Sequence, residues 1–372
     1  MSGIESRELV LTPFASIRSR RQRWLWSDRV PLGVVSVFAG YGGEGKSTFA
    51  LHLAAKLNQG QLEGDLHGTP RPVLIVSHED DLATVMKPRL IAAGADSSMV
   101  YHLTIRSKID EITTETIPAM PEDAPRIRQA LADTGAGLII IDPITSTMSG
   151  DLHKVADVRA ALNPVAAIAQ EADVAVIAIM HLNKSGGSLS SRLSGSHAFR
   201  DVSRSVLVFA RDEDTGNRIV TLDKANYSET IADSFAFAIR STEITTDDGD
   251  RATVGTVDYL GDTDLDVQSI LDRARDDDSE DRSEAERWII GYLEDHGGTA
   301  PAGEIQKAAR SDGMSWDSLK RASTRIVDKA KSGYQGRWLW TLNLGKESGK
   351  GAKSAKGAES TPFALNDDGN RS

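Results

Sequence analysis

Gly40-Tyr41-Gly42-Gly43-Glu44-Gly45-Lys46-Ser47 fits the pattern G-x-x-x-x-G-K-[ST]. An apolar run, 34–39, precedes it and a helical pattern, 48–57, follows, so the motif sits where a strand turns into a helix. Glycines there let backbone N–H groups curl around a phosphate, and the helix N-terminus adds its dipole. Gly40, Gly42, Gly43, Glu44, Gly45, Lys46, Ser47 and Thr48 are therefore expected to cradle a nucleotide. The Lys46 ammonium should reach the β- and γ-phosphates, and the Ser47 hydroxyl should ligate Mg²⁺. The expected cofactors are ATP and Mg²⁺.

Outward from the motif, short apolar runs alternate with helical patterns. The runs are 34–39, Val73–Ser77, Leu138–Asp142, 174–180 and 205–209; the helical patterns are 47–57, 81–93, 123–133 and 155–171. In the last of these, Val158, Ala161, Leu162, Val165, Ile168 and Ala169 recur at helical spacing and form one core-facing stripe. Continuous apolar strands alternating with helices predict an α/β fold, a parallel sheet covered on both faces. Beyond residue 210 the helices stop, and 218–222, 234–239 and 252–259 read as strands joined by Gly- and Asp-rich turns. They are expected to extend one edge of the sheet as an antiparallel addition.

Two further carboxylates and a histidine fall at strand ends. Leu138–Asp142 is a buried-looking strand closing on Asp142, which is placed to hold the magnesium. Val73–Ser77 runs into His78-Glu79-Asp80-Asp81, and Glu79 is the candidate for orienting the attacking water. Asp80 and Asp81 better suit the plainer role of an acidic helix cap. The run 174–180 ends in His181, where a polar side chain can sense the γ-phosphate. All of these lie at the carboxyl ends of strands, where ligands bind in open α/β sheets.

The chain has 372 residues, enough for two or three domains, and 40% of them are hydrophobic, which supplies a sizeable core. The absence of cysteine excludes disulfides, Cys-ligated zinc, iron–sulfur clusters and thiol catalysis. No run of about 18 apolar residues marks a membrane span, the first residues carry no leader-like apolar core, and a cytoplasmic location is expected. The formal charge of −11 argues against a surface coated in nucleic acid, while leaving room for a local basic face. Five segments are expected: an arm, 1–32, carrying Arg18, Arg20, Arg21 and Arg23 and then Trp24-Leu25-Trp26; an ATPase core, 33–262; an acidic linker, 263–284; a small third unit, 285–345; and a Gly-, Ser-, Lys- and Ala-rich disordered tail, 346–372.

The ordered set of motifs resembles the RecA-like ATPases, and most closely the RepA-type replicative helicases of plasmids and phages, the AAA_25 type. The features are Trp24-Leu25-Trp26 with Pro31-Leu32-Gly33, the phosphate loop, His78-Glu79-Asp80, Ile141-Asp142-Pro143, His181, and Gly195-Ser196 leading into Arg200-Asp201-Val202-Ser203-Arg204. The resemblance implies a RecA-like P-loop core with Lys46, Glu79, His181 and Arg204 in catalysis and Ser47 and Asp142 on the metal. Arg204 matches the finger that enters a neighbouring subunit's site, with Arg200 its competitor for that role. Lys224-Ala225-Asn226 resembles a Lys-x-Arg strand end that reaches a neighbour's nucleotide; Asn226 replaces the arginine, so only Lys224 carries over. A trans-acting finger requires a homo-oligomer, and six copies in a ring is the family's usual count.

Nucleic acid is expected at two places. The stretch 183–196 has nine Gly or Ser among fourteen residues, with Lys184 and Arg192 as its charges, and in RecA-like rings the corresponding loop tracks a strand's phosphates. The partner implied there is single-stranded DNA. In the third unit, helices over 283–296, Ala302–Ser311 and 316–331 and a closing strand, 336–342, resemble a winged helix-turn-helix. Lys320, Arg321 and Arg325, with Lys329, Lys331 and Arg337 against Asp328, give its third helix a local basic face. The alternative reading is a KaiC-like regulatory ATPase whose third unit docks a promoter or a protein without unwinding.

Overall fold

The chain is described by a computed structural model covering residues 9–109, 112–148, 150–151, 154–182, 198–228, 233–332 and 337–343. Its strands are β1 (Trp24–Trp26), β2 (Val30–Pro31), β3 (Val35–Gly40), β4 (Val73–Ser77), β5 (Val100–His102), β6 (Ile105–Ile109), β7 (Ile112–Thr116), β8 (Leu138–Asp142), β9 (Ala175–His181), β10 (Ser205–Arg211), β11 (Arg218–Ala225), β12 (Ser234–Thr245), β13 (Arg251–Thr263), β14 (Thr299–Pro301), β15 (Val327–Lys331) and β16 (Trp338–Leu342). The α-helices are α1 (Lys46–Asn58), α2 (Lys87–Ala92), α3 (Ala124–Thr134), α4 (Val155–Ala172), α5 (Ala198–Val202), α6 (Val267–Asp295), α7 (Ala302–Ser311) and α8 (Trp316–Ile326).

Nine strands form one sheet in the order β13-β12-β11-β10-β3-β9-β8-β4-β5. The six from β10 to β5 run parallel to their neighbours, and β11, β12 and β13 are added antiparallel. Alternate residues of the same strand feed two different cores. Val35, Val37, Ala39, Ile139 and Ile141 pack with α3 and α4, while Phe38, Leu138 and Ile140 pack with Phe49, Leu53 and Leu57 of α1. This is why these strands read as unbroken apolar runs: neither face meets water. Trp26 of the lead-in is buried on the second core, its ring 5.7 Å from Phe49 and 5.2 Å from Phe235.

The antiparallel strands β12 and β13 are far longer than the patterns 234–239 and 252–259, because they pair from Ser234↔Thr263 to Thr245↔Arg251, with one register shift between Ala236 and Phe237. The helical pattern 81–93 divides into a wide turn at Leu82–Met86 followed by α2. β5 and the hairpin β6–β7 are additions that the apolar pattern does not announce: Tyr101 and His102 are exposed, and β6–β7 is largely solvated. No helix among the described residues is long and apolar enough to cross a membrane.

Two compact units divide at Arg273/Ala274, inside α6. The stretch read as an acidic linker is thus helical from Val267 onward. No glycine or proline interrupts residues 265–290, and helix-forming Ala, Arg and Glu recur there, so the charge run carries no helix breaker. Val267, Ile270 and Leu271 anchor its start in the first unit's core. The second unit packs Ala285, Ile289 and Leu293 of α6 with Ile305, Leu319, Val327 and Trp340. Its third helix is shorter than the pattern 316–331. It ends at Ile326, and Val327–Lys331 is a strand pairing with Trp338–Leu342. Lys329 and Lys331 therefore lie on a hairpin, not a helix, since that segment's backbone groups are satisfied by a partner strand instead of by a further helical turn.

Candidate nucleotide-binding site

The parallel register brings four strand ends to one edge of the sheet. Gly40 of β3 pairs with His181 of β9, and Ser77 of β4 pairs with Asp142 of β8. Between β3 and α1 the chain turns through Gly43 and Gly45, both with positive φ (81° and 84°). A Cβ at Gly42 or Gly43 would meet nothing within 4 Å, so open space lies over the turn. A Cβ at Gly45 would press on Ile239 and the Phe237 ring, at 3.1 and 3.3 Å. No side chain caps α1, so the N–H groups of its first turn are left for another acceptor. The loop thus has the shape and the donors that a phosphate needs.

Lys46 is buried and folds back over the loop. Its Nζ donates to the carbonyls of Gly40, at 2.9 Å, and Tyr41, at 2.6 Å. Burial pushes its pKa down, while Glu44, Asp142 and Glu79 pull it back up. The Ser47 hydroxyl acts on the Asp142 carboxylate and favours its charged form, so the two expected metal ligands come together. Burial raises the Asp142 pKa; Ser47 and Lys46 oppose the rise, and the nearby Glu79 and Asp80 add to it. A divalent cation between Ser47 and Asp142 would relieve this crowding of negative charge. Among the described residues no group of three or more His, Asp or Glu is arranged to hold a metal alone. Two oxygens suit Mg²⁺, which usually takes its other ligands from phosphates and water.

The segment after β4 sorts its acids by partner. Asp81 caps the following turn, accepting from the N–H groups of Ala83 and Thr84, and Asp80 pairs with Arg89 at 2.8 Å. Glu79 does neither; it is exposed, and its charge acts on Lys46 and Asp142. His181 ends β9 exposed beside Gly40, whose carbonyl accepts from the next residue's N–H, that of Leu182, at 3.2 Å.

Glu44 has a feature its place in the motif does not announce. It is buried, its Oε2 has no hydrogen-bond partner, and burial raises its pKa to about 7 against the opposing pull of Lys46. A carboxylate inside an otherwise glycine-rich cradle is the only signal in the sequence that could have singled it out.

Arg204 and Lys224 lie elsewhere. The Arg204 N–H donates to Val35, at the start of β3, and its carbonyl accepts from Asn226. Gly40 is five residues further along β3, so roughly 16 Å of strand separates Arg204 from its own cradle. The Lys224 ammonium donates to the carbonyls of Arg200, at 2.5 Å, and Ser203, at 2.9 Å. Arg200 is held by Asp223 at 2.5 Å, whereas the nearest acceptor for the Arg204 guanidinium is the Asp201 carbonyl at 3.4 Å. Lys184 and Arg192 lie outside the described residues.

In the second unit, Lys320 and Arg321 are exposed on α8, and Arg325 is on the same helix with its side chain outside the description. Lysines and tryptophans interleave here. Lys320 lies over Trp316, Lys329 over Trp340 at 4.4 Å and Lys331 over Trp338, with Trp316 and Trp340 stacked at 5.2 Å.

The sequence profile of the AAA_25 family, described as an AAA domain, matches residues 5–187, just short of half the chain. No curated protein matches the chain.

Proposed function

We propose, from the premise that the core is a P-loop ATPase domain, that the chain is a RecA-like ring ATPase coupling ATP hydrolysis to movement along DNA, in the manner of a RepA-like replicative helicase. Lys46 and the uncapped start of α1 bind the phosphates, and Ser47 and Asp142 hold Mg²⁺. Glu79 orients water and His181 senses the γ-phosphate. Bound Mg²⁺ supplies charge neutralisation between the phosphate oxygens.

One observation carries the assembly. The cradle opens at the carboxyl edge of the sheet, and Arg204 stands at the amino edge, too far to serve its own site. Head-to-tail contact, with six copies closing a ring, would bring one copy's Arg204 and Lys224 to the next copy's nucleotide. The ion pair of Arg200 with Asp223 favours Arg204 as the finger. Single-stranded DNA would thread the ring along Lys184 and Arg192. The second unit would act as a winged helix on duplex or strand, its lysines and tryptophans offering charge and stacking together.

The regulatory reading draws on one feature of its own. The same tryptophan-covered hairpin suits a protein surface, and the chain's charge is −11. The deciding experiment is the ATPase rate with and without single-stranded DNA, alongside mass by light scattering in the presence of nucleotide. The motor predicts strong stimulation by the single strand and a multi-subunit mass. Turnover indifferent to any DNA, with binding to one duplex and no strand separation, selects the regulatory ATPase.

A further inference from the structure

The β15–β16 hairpin of the second unit has one face that begins in the core and ends in water. Side chains alternate between the two faces of paired strands. Val327↔Leu342, Lys329↔Trp340 and Lys331↔Trp338 are cross-strand neighbours, so these residues share a face. Val327 and Trp340 are buried, and Leu342 packs against the same core. Two residues further out the core has ended: Trp338 is 52% exposed and Lys331 is exposed beside it. A half-exposed indole, apolar in body and large, is the kind of side chain that interfaces cover.

The charge around that ring has one sign. Lys329 and Lys331 lie over Trp340 and Trp338 and make no ion pair among the described residues. Lys320 of α8 is near enough for its charge to help lower the Lys329 pKa, burial being the larger cause. The acids nearby are already engaged. Asp317 pairs with Lys320 at 3.5 Å, and Asp328, on the hairpin's other face, accepts from the Asn343 amide at 2.9 Å. Unpaired ammonium groups beside an open ring, in a chain of net charge −11, suit a partner that is both anionic and aromatic.

We infer that this face of the hairpin binds single-stranded nucleic acid, with an unpaired base stacked on Trp338 and the flanking phosphates on Lys331 and Lys329. Inside a duplex each base is covered by its neighbours in the stack, so only a single strand has a base free to cover the ring. Stacking of this kind accepts any base, which makes the contact sequence-tolerant. The Lys331 ammonium is 5.7 Å from the centre of the Trp338 ring, near the outer limit for such a pair, so its move to a phosphate costs little. An apolar protein surface would have to strip water from these ammonium groups without pairing them. The inference rests on the DNA-binding role proposed for the second unit and deepens it: the hairpin makes the contact instead of α8, and the partner is the strand instead of the duplex.

The test uses the full-length chain and a fluorescein-labelled oligothymidylate carrying one bromodeoxyuridine, a base that bonds under ultraviolet light to an aromatic side chain touching it. After irradiation and trypsin digestion, fragment masses should place the adduct on Trp338. By fluorescence anisotropy, Trp338→Ala should weaken binding of the strand about tenfold, while Trp338→Phe keeps most of the affinity. Affinity for a duplex of the same length should change by less than about twofold, with the fold of both variants unchanged by circular dichroism. An adduct found only elsewhere in the chain, with turnover still stimulated by the strand, overturns the hairpin contact and leaves the motor reading standing. Equal losses for strand and duplex also overturn it, since the ring would then not be reading an unpaired base. No adduct, with Trp338→Ala binding the strand as wild type does, returns the hairpin to a protein partner. An adduct on Trp338 in a chain whose turnover ignores DNA sinks the motor reading and keeps this one.

Discussion

At the scale of single residues, the cradle holds opposed charges in little water, so substitutions there should separate binding from chemistry. Lys46→Ala removes the ammonium that folds over Gly40 and Tyr41, and should abolish turnover by weakening nucleotide binding, as a titration with a fluorescent ATP analogue would show. Glu79→Gln keeps the shape and loses the base; binding should persist while kcat falls by about 10²–10⁴. Unchanged kcat would move the water-orienting role to another carboxylate. Glu44 gives a pH signature. Its pKa in the folded chain is about 7, above the ordinary glutamate value, so the folded state holds the proton that the unfolded chain releases at lower pH. The nucleotide-free protein should therefore lose stability as pH rises from about 4.5 to 7 and level off beyond, by the same linkage. Glu44→Gln should flatten that slope in urea midpoints measured across the range; an unaltered slope would mean that Glu44 is not its source.

Among the elements, the turn from β3 into α1 shows how one motif serves two ends. Gly45 is needed for the fold: its φ is 84°, and a Cβ there would press on Phe237 and Ile239. Gly45→Ala should cost about 1–2 kcal/mol of stability, the penalty for a left-handed alanine. At Gly42 a Cβ would meet only open space, so Gly42→Ala should keep the urea midpoint and lose nucleotide affinity by entering the volume a phosphate needs. Equal effects of the two substitutions on stability would refute this division. Elements were legible in proportion to their burial. β4 and β8 match their apolar runs to the residue, because both faces of each are core. Val327-Asp328-Lys329-Ala330-Lys331, which the sequence pattern assigns to a helix, has no strong preference of its own, and pairing with β16 makes it the strand β15. Three exposed or half-buried residues could not announce β5 at all.

For the molecule as a whole, the main consequence is the distance between the two edges of one sheet. If Arg204 acts on a neighbour, Arg204→Ala and Lys46→Ala chains should each be inactive alone, and mixing them should restore turnover at sites built from one intact cradle and one intact finger. Activity that stays at the sum of the two variants, or a monomer hydrolysing as fast as an assembly, would refute action in trans. The −11 charge bears on this scale too. A long-range field of that sign disfavours nucleic acid overall, so any DNA contact should weaken steeply with salt and depend on local lysines and arginines.

The amino-acid sequence determined the phosphate loop, the parallel strands and the set of side chains at their ends, because each is a local property: a spacing, an apolar run, a carboxylate closing a strand. Only the tertiary structure decided which of those ends meet. Pairing register set His181 against Gly40 and Ser77 against Asp142. It also sent Arg204 and Lys224 to the far edge, because β10 runs parallel to β3 and β11 returns antiparallel beside it. Register depends on contacts between residues distant in the chain, and those exist only once the sheet is formed.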